Sequence, residues 1–226
     1  MALKIYKISE FNHKAKIGLF DELCKLLAER WEDGKEECIV VGNYNVEGVE
    51  IDAMVVTQYG VMFFDFKNGG GNIVAREVGE WTQNDHSVAG GAYGKSPMVN
   101  ARMMRNRLRS SSSKLLGCQL SDAKVVVVFS MASSIDDSAL SESTKSWLTV
   151  CDINNIADVL DKALLGARVI SDEIFNAIPN HLCISQFDIQ QGPANSYPGM
   201  YSPDVATDVF GQILSMPNDI DIRRQY

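Results

Sequence analysis

Residues 51–68, IDAMVVTQYGVMFFDFKN, decide the fold. Two apolar stretches flank Gln58-Tyr59-Gly60, a pattern typical of two strands joined by a tight turn. Because successive side chains of a strand point to opposite faces, Asp65 and Lys67 share one face of the second strand. The segment therefore predicts a β-hairpin in which charged residues interrupt strongly apolar strands.

The length of the turn sets which residues of the hairpin face each other. A two-residue turn at Gln58-Tyr59 sets Asp52 opposite Asp65, whereas a turn one residue later sets Asp52 opposite Lys67. Either register brings the three charged side chains to one face, where opposed Cβ atoms lie about 5 Å apart. A three-residue loop would break this arrangement, so the prediction depends on the turn length.

Two carboxylates at such a distance repel each other, and a divalent cation between them removes the repulsion. Hard carboxylate oxygens favour magnesium or manganese over zinc. Lys67 could orient or deprotonate a water, or stabilise charge developing on a phosphate. A metal, an activated water and a cation are what phosphodiester hydrolysis requires. The simpler interpretation is a charged, solvent-facing hairpin whose Asp–Lys pair contributes under about 1 kcal/mol.

The rest of the chain predicts an α/β domain, with a mixed central sheet flanked by helices. Helical spacing or capping predicts helices at 14–31, 97–108, 155–165 and 172–178, and apolar runs predict strands at 38–42, 125–129 and 147–151. Gly69–Gly71 is predicted to be a second turn, and 79–95 an irregular loop. We expect one domain over 1–182 and a tail or linker over 183–226, through which a partner domain or protein could act.

Composition limits the class of protein. The 226 residues are 46% hydrophobic and carry a formal charge of −8, values that exclude a wholly disordered chain. The five cysteines show neither zinc-ligand spacing nor a disulfide framework. No apolar run approaches the roughly 20 residues of a transmembrane helix, and the N-terminus lacks a signal core. A soluble, cytoplasmic protein without membrane partners is expected, and a homo-oligomer is possible.

A second charged feature is the basic segment 95–114, which has no acidic residue. On the predicted helix, Arg102, Arg105 and Arg109 fall on one side and the apolar residues on the other. Together with Lys95, these arginines are the candidate phosphate-binding residues. The alternative is a solvated face whose arginines pair with acids elsewhere in the protein.

Several motifs in order make the chain similar to one family. They are Gly18-x-x-x-Glu22 on the first helix, Ile51-Asp52, Tyr59-Gly60, Asp65-Phe66-Lys67-Asn68, and Trp81-Thr82-Gln83. Over residues 12–155 this order resembles the nuclease-related domain (NERD) family, a branch of the PD-(D/E)xK nuclease superfamily. The resemblance implies a restriction-endonuclease-like core with the element order αβββαβ.

The resemblance also implies roles for individual residues. Asp52 and Asp65 would be ligands of Mg²⁺ or Mn²⁺, and the carbonyl of Phe66 a third. Lys67 would be the catalytic lysine, and Glu22 would complete the acidic cluster from the first helix. On a helical wheel, Glu22 lies just outside the apolar arc, where it could face either a cleft or solvent.

This sequence departs from the family pattern at two points. Asn100 stands where relatives often have glutamine, so its auxiliary catalytic role rests on a shorter amide. Many relatives have glutamate where Asp65 stands, although aspartate satisfies the superfamily pattern. The resulting expectation is a metal-dependent nuclease acting on nucleic acid, DNA more than RNA, in DNA processing or defence against foreign DNA. The alternative is a weakly active or inactive nucleic-acid-binding or regulatory module serving a partner domain.

Overall fold

The computed structural model describes residues 3–9, 11, 13–30, 37–88, 96–120, 123–163, 167–182 and 189–190 of the chain. Within them lie nine strands: β1 Leu3–Lys7, β2 Cys38–Val46, β3 Val49–Thr57, β4 Gly60–Arg76, β5 Thr82–Gln83, β6 His86–Ser87, β7 Lys124–Ala139, β8 Leu148–Asp152 and β9 Ile189–Gln190. The helices are α1 Lys14–Arg30, α2 Pro97–Leu116, α3 Glu142–Lys145, α4 Ile156–Ala163 and α5 Asp172–His181.

The strands form one mixed sheet with β4 near its centre. β1 and β2 are parallel, β2, β3 and β4 run antiparallel in turn, and β4, β7 and β8 are parallel to one another. β5 and β6 form a small hairpin beside the far half of β4. The succession α1-β2-β3-β4-α2-β7 matches the expected αβββαβ order and is consistent with a restriction-endonuclease-like core.

Helices cover the sheet because alternate residues on both of its faces are apolar. One face packs on α2, whose Met98, Ala101, Met104 and Leu108 join Phe63 in a single buried cluster. Side chains of the opposite alternation, such as Phe64 and Val126, are also buried but lie outside that cluster. Helix α1 contacts β1, β3 and β4 with its own buried stripe, Leu19, Phe20, Leu23, Cys24 and Leu27.

The tight turn expected in the hairpin is confirmed, with Thr57 paired to Gly60 across Gln58-Tyr59. The expected turn at Gly69–Gly71 is wrong, because β4 continues through these glycines to Arg76. The glycines instead allow the neighbouring strand β7 to approach closely, because a Cβ at Gly70 would lie 2.4 Å from the backbone oxygen of Met131.

Other differences concern the ends of elements. Helix α2 passes the predicted end near residue 108 and continues through the serines 110–113 to a left-handed cap at Gly117. Strand β1 was not predicted, and the loop expected over 79–95 contains the β5–β6 hairpin. Residues 183–188 and 191–226, most of the expected tail, lie outside the described residues. Within the described part of the chain, no helix combines the length and apolarity needed to cross a membrane.

Candidate active site

The candidate site lies where β3 and β4 stop pairing. The last pair of their ladder is Ala53 with Phe64, so Asp52 and Asp65 are the next opposed positions. In a continued ladder, the amide of Phe66 would bond to the carbonyl of Ile51. It donates instead to Oδ2 of Asp52, at 2.7 Å. A carboxylate thus replaces a backbone acceptor, and both aspartates meet at the point where the strands separate.

An irregularity in β2 lies beside Asp52. Strand β2 pairs Gly42 with Ala53 and Tyr44 with Ile51, but Asn43, between them, has a φ of 49° and leaves the ladder. Asparagine tolerates this left-handed conformation better than most residues. Its side-chain amide donates to the hydroxyl of Ser9 at 2.9 Å. Residues in such sparsely populated backbone conformations cluster at functional sites.

Asp65 is held by two partners. Nζ of Lys67 lies 2.7 Å from its Oδ1, and the side-chain amide of Asn100 donates to its Oδ2 at 3.1 Å. The carboxylate is 4% exposed and Lys67 11%, so the pair is almost fully withdrawn from water. Strand alternation positions Lys67, and the first turn of α2 supplies Asn100. The structure therefore brings Asp52, Asp65, Lys67 and Asn100 together.

A second lysine enters the site from the first turn of α1. Nζ of Lys16 lies 2.6 Å from Oδ1 of Asp52 and 3.4 Å from Oε1 of Glu50. The sequence prediction missed Lys16, although a signal was present. Lys16 lies on the same helical stripe as Phe20, Leu23 and Leu27. A charged residue in line with an apolar stripe is expected to pair with a buried group of opposite charge.

The protonation of Asp52 reflects opposing influences. Burial raises its pKa first, the charge of Asp65 raises it further, and Lys16 and the Phe66 amide lower it, with a net value of about 6. For Lys16, burial lowers the pKa, but Asp52, Glu50 and Asp65 raise it above its ordinary value. Near neutral pH, the pair is therefore a carboxylate facing an ammonium.

The oxygen donors suit a hard divalent cation. Mg²⁺ is usually bound by one or two carboxylates, with waters and substrate phosphates completing its shell. Asp52 and Asp65 supply that number. Among the described residues, no three His, Cys, Asp or Glu side chains are grouped closely enough to hold a metal. Glu22, half-buried on α1, is thus not brought together with the two aspartates, and its role as a ligand stays a prediction.

The basic face of α2 has the expected orientation. Arg102 and Arg109 are exposed and Arg105 is half-buried, while Ala101 and Leu108 are buried. Arg102 lies 3.4 Å from Glu77, and Arg105 stacks 4.7 Å above the ring of Trp147. The binding role of this face stays a prediction, and Lys95 lies outside the described residues.

The last motif of the family pattern, Trp81-Thr82-Gln83, makes structural contacts. Trp81 is fully buried, and its indole N–H donates to the carbonyl of Arg76 at 2.8 Å. The side chain of Gln83 lies against Gly69, because a Cβ at Gly69 would be 2.2 Å from Oε1 of Gln83. These contacts fasten the β5–β6 hairpin to the far half of β4, just beyond Lys67.

Comparison with known proteins agrees with this geometry. Residues 20–130 match the family model of the nuclease-related domain (NERD). No curated protein and no solved structure matched the chain. The matched segment includes Asp52, Asp65, Lys67 and Asn100, whereas Lys16 precedes it. Residues 20–130 of this chain therefore match the NERD family, which suggests a nuclease-related function.

Proposed function

We propose that this protein is a metal-dependent nuclease that hydrolyses phosphodiester bonds of nucleic acid, DNA in preference to RNA. The observation that carries the proposal is the meeting of Asp52, Asp65 and Lys67 at the end of the β3–β4 ladder, inside the segment that matches a nuclease-related family. Two buried carboxylates beside a lysine are costly to maintain for stability alone, and they suit phosphoryl chemistry.

Asp52 and Asp65, with the carbonyl of Phe66, would hold the cation, Mg²⁺ or Mn²⁺. When bound, such an ion supplies Lewis-acid charge and lowers the pKa of a coordinated water. The Phe66 amide fixes one oxygen of Asp52, and Asn100 fixes one oxygen of Asp65. Lys67 holds its ammonium next to Asp65, from where it can orient a water or stabilise negative charge on the phosphate.

The test is cleavage of labelled single- and double-stranded DNA and RNA with Mg²⁺, Mn²⁺ or a chelator. We expect metal-dependent cleavage that falls at least about 100-fold in Asp65→Asn and in Lys67→Met. Asp158→Asn, an exposed aspartate on α4, is the matched control and should cleave as the wild type does. Cleavage that persists unchanged in both site variants overturns the proposal.

A nucleic-acid-binding module with little or no cleavage is the second candidate. The contact between Lys16 and Asp52 favours it, because an ammonium already compensates one of the two carboxylates. In that case, binding survives Asp52→Ala but weakens in the Arg102/Arg105/Arg109 triple alanine variant, with a shallower dependence on salt. The absence of any binding would reject this candidate.

A further inference from the structure

Lys16 and a divalent cation would compete for the same oxygen. Oδ2 of Asp52 already accepts the Phe66 amide at 2.7 Å, so Oδ1 is the oxygen turned toward other partners. Nζ of Lys16 lies 2.6 Å from Oδ1. An ammonium at this distance uses a lone pair that a metal ion would need, and its charge repels a second cation at the same place.

A second carboxylate, that of Glu50, lies within reach of the Lys16 ammonium. Glu50, two residues before Asp52 on β3, has Oε1 3.4 Å from Nζ. The side chain of Glu50 is 40% exposed and that of Lys16 22%, whereas Asp52 is 3% exposed. Moving the ammonium from Asp52 to Glu50 therefore shifts it toward water and keeps it paired. Such a shift costs far less free energy than leaving an unpaired charge in the interior of the protein.

The charges fit an exchange of this kind. Asp52, Asp65, Lys16 and Lys67 together carry no net charge, because each carboxylate contacts one ammonium. A divalent cation added to that neutral group would meet two ammonium groups at close range. With Lys16 transferred to Glu50, the cation meets two carboxylates and one ammonium.

We propose that Lys16 is an internal competitor of the divalent cation at Asp52, and that Glu50 receives its ammonium when the cation binds. Lys16 thereby sets the metal concentration at which the site loads. The inference deepens the proposed function and rests on it, because it concerns the same metal site.

The test measures Mn²⁺ binding to the full chain by isothermal titration calorimetry, without nucleic acid. Lys16→Met should bind Mn²⁺ at least about tenfold more tightly than the wild type. Lys14→Met is the matched control, because Lys14 is exposed in the same turn of α1 and its loss changes the net charge equally. It should change the dissociation constant less than about twofold, as expected of a screened surface charge.

A double-mutant cycle isolates the part played by Glu50. Glu50→Gln should weaken Mn²⁺ binding in the wild type, because Lys16 then loses its alternative partner. In the Lys16→Met background, the same substitution should have a clearly smaller effect. If Glu50 acted only as a nearby negative charge, the two effects would be equal, and its role as receiver would be rejected.

The outcomes separate this inference from the proposed function. Mn²⁺ binding that is lost in Asp65→Asn but equal in wild type and Lys16→Met overturns the competition and leaves the metal site standing. Absence of Mn²⁺ binding in wild type and Lys16→Met alike overturns both. Weaker binding in Lys16→Met, in a variant whose thermal unfolding is unchanged, would make Lys16 a supporting residue and also overturn the competition.

Discussion

The β3–β4 hairpin and the exposed face of α2 both carry charged side chains that the sequence associates with phosphate. The two regions differ in how deeply these side chains are buried. In the hairpin, Asp65 and Lys67 are 4% and 11% exposed and contact each other at 2.7 Å. On α2, Arg102 is 47% exposed and lies 3.4 Å from Glu77, which is 28% exposed. Buried pairs are fixed by the cost of leaving either partner alone, whereas surface pairs exchange readily with solvent ions. The hairpin is therefore suited to fixed chemistry, and the helix face to exchangeable contacts.

The largest expected effect is that of removing the buried ammonium group of Lys67. Lys67→Met leaves the buried Asp65 carboxylate without the ammonium that contacts it, and we expect the free energy of unfolding to fall by about 3 kcal/mol. Arg102→Met breaks the pair with Glu77 at the protein surface and should cost under about 1 kcal/mol. Urea denaturation at pH 7.5 with a chelator measures both. Equal losses would mean that the hairpin pair behaves as a surface pair.

The next effect is a dependence of stability on pH. The pKa of Asp52, raised to about 6 by burial and by the charge of Asp65, lies above its ordinary value of 3.8. Between these values, the folded state binds more protons than the unfolded state, so stability is greater at low pH and is lost as the pH rises toward 6.

Asp52→Asn should remove this dependence. Relative to the variant, the wild type should lose about 2 kcal/mol of unfolding free energy between pH 4.5 and 7.5. Urea denaturation at several pH values, with a chelator present, measures the difference, and Asp158→Asn provides the control. A wild type that instead gains stability over the variant across this range would show that the Lys16 ion pair outweighs burial.

The smallest effect concerns the contact that joins the two regions. Asn100, on α2, donates to Oδ2 of Asp65 at 3.1 Å. Asn100→Ala should lower the free energy of unfolding by about 1 kcal/mol through the lost hydrogen bond. Asn106→Ala, at an exposed position of the same helix, gains the same helix propensity and corrects for it. If the two variants are equally stable, the contact contributes nothing measurable.

Local patterns accounted for much of the fold. Helical spacing predicted α1, whose buried residues include Phe20, Leu23 and Leu27. Capping predicted the start of α2, where the Ser96 hydroxyl accepts from the Val99 amide. The glycines 69–71 misled the prediction because glycine marks turns and close strand packing alike. Only the approach of Gln83, Asn84 and Met131 distinguishes the two, and these contacts are not local in sequence.

The candidate site divides in the same way. Strand alternation relates Asp65 to Lys67, and the two-residue turn brings Asp52 and Asp65 to the end of the ladder, just beyond the pair of Ala53 and Phe64. These relations depend only on neighbours along the hairpin. Lys16 and Asn100 reach the aspartates from two helices, at distances of 36 and 35 residues along the chain. No periodicity relates positions so far apart.

The sequence by itself determined the hairpin and the charged residues that interrupt its apolar strands, since both follow from the period of a strand, but it left the register open between two turns. Only the tertiary structure decided which charges compensate them. Burial forces each carboxylate to find a cation or a donor within about 3 Å, and which one it finds depends on how α1 and α2 pack against the sheet.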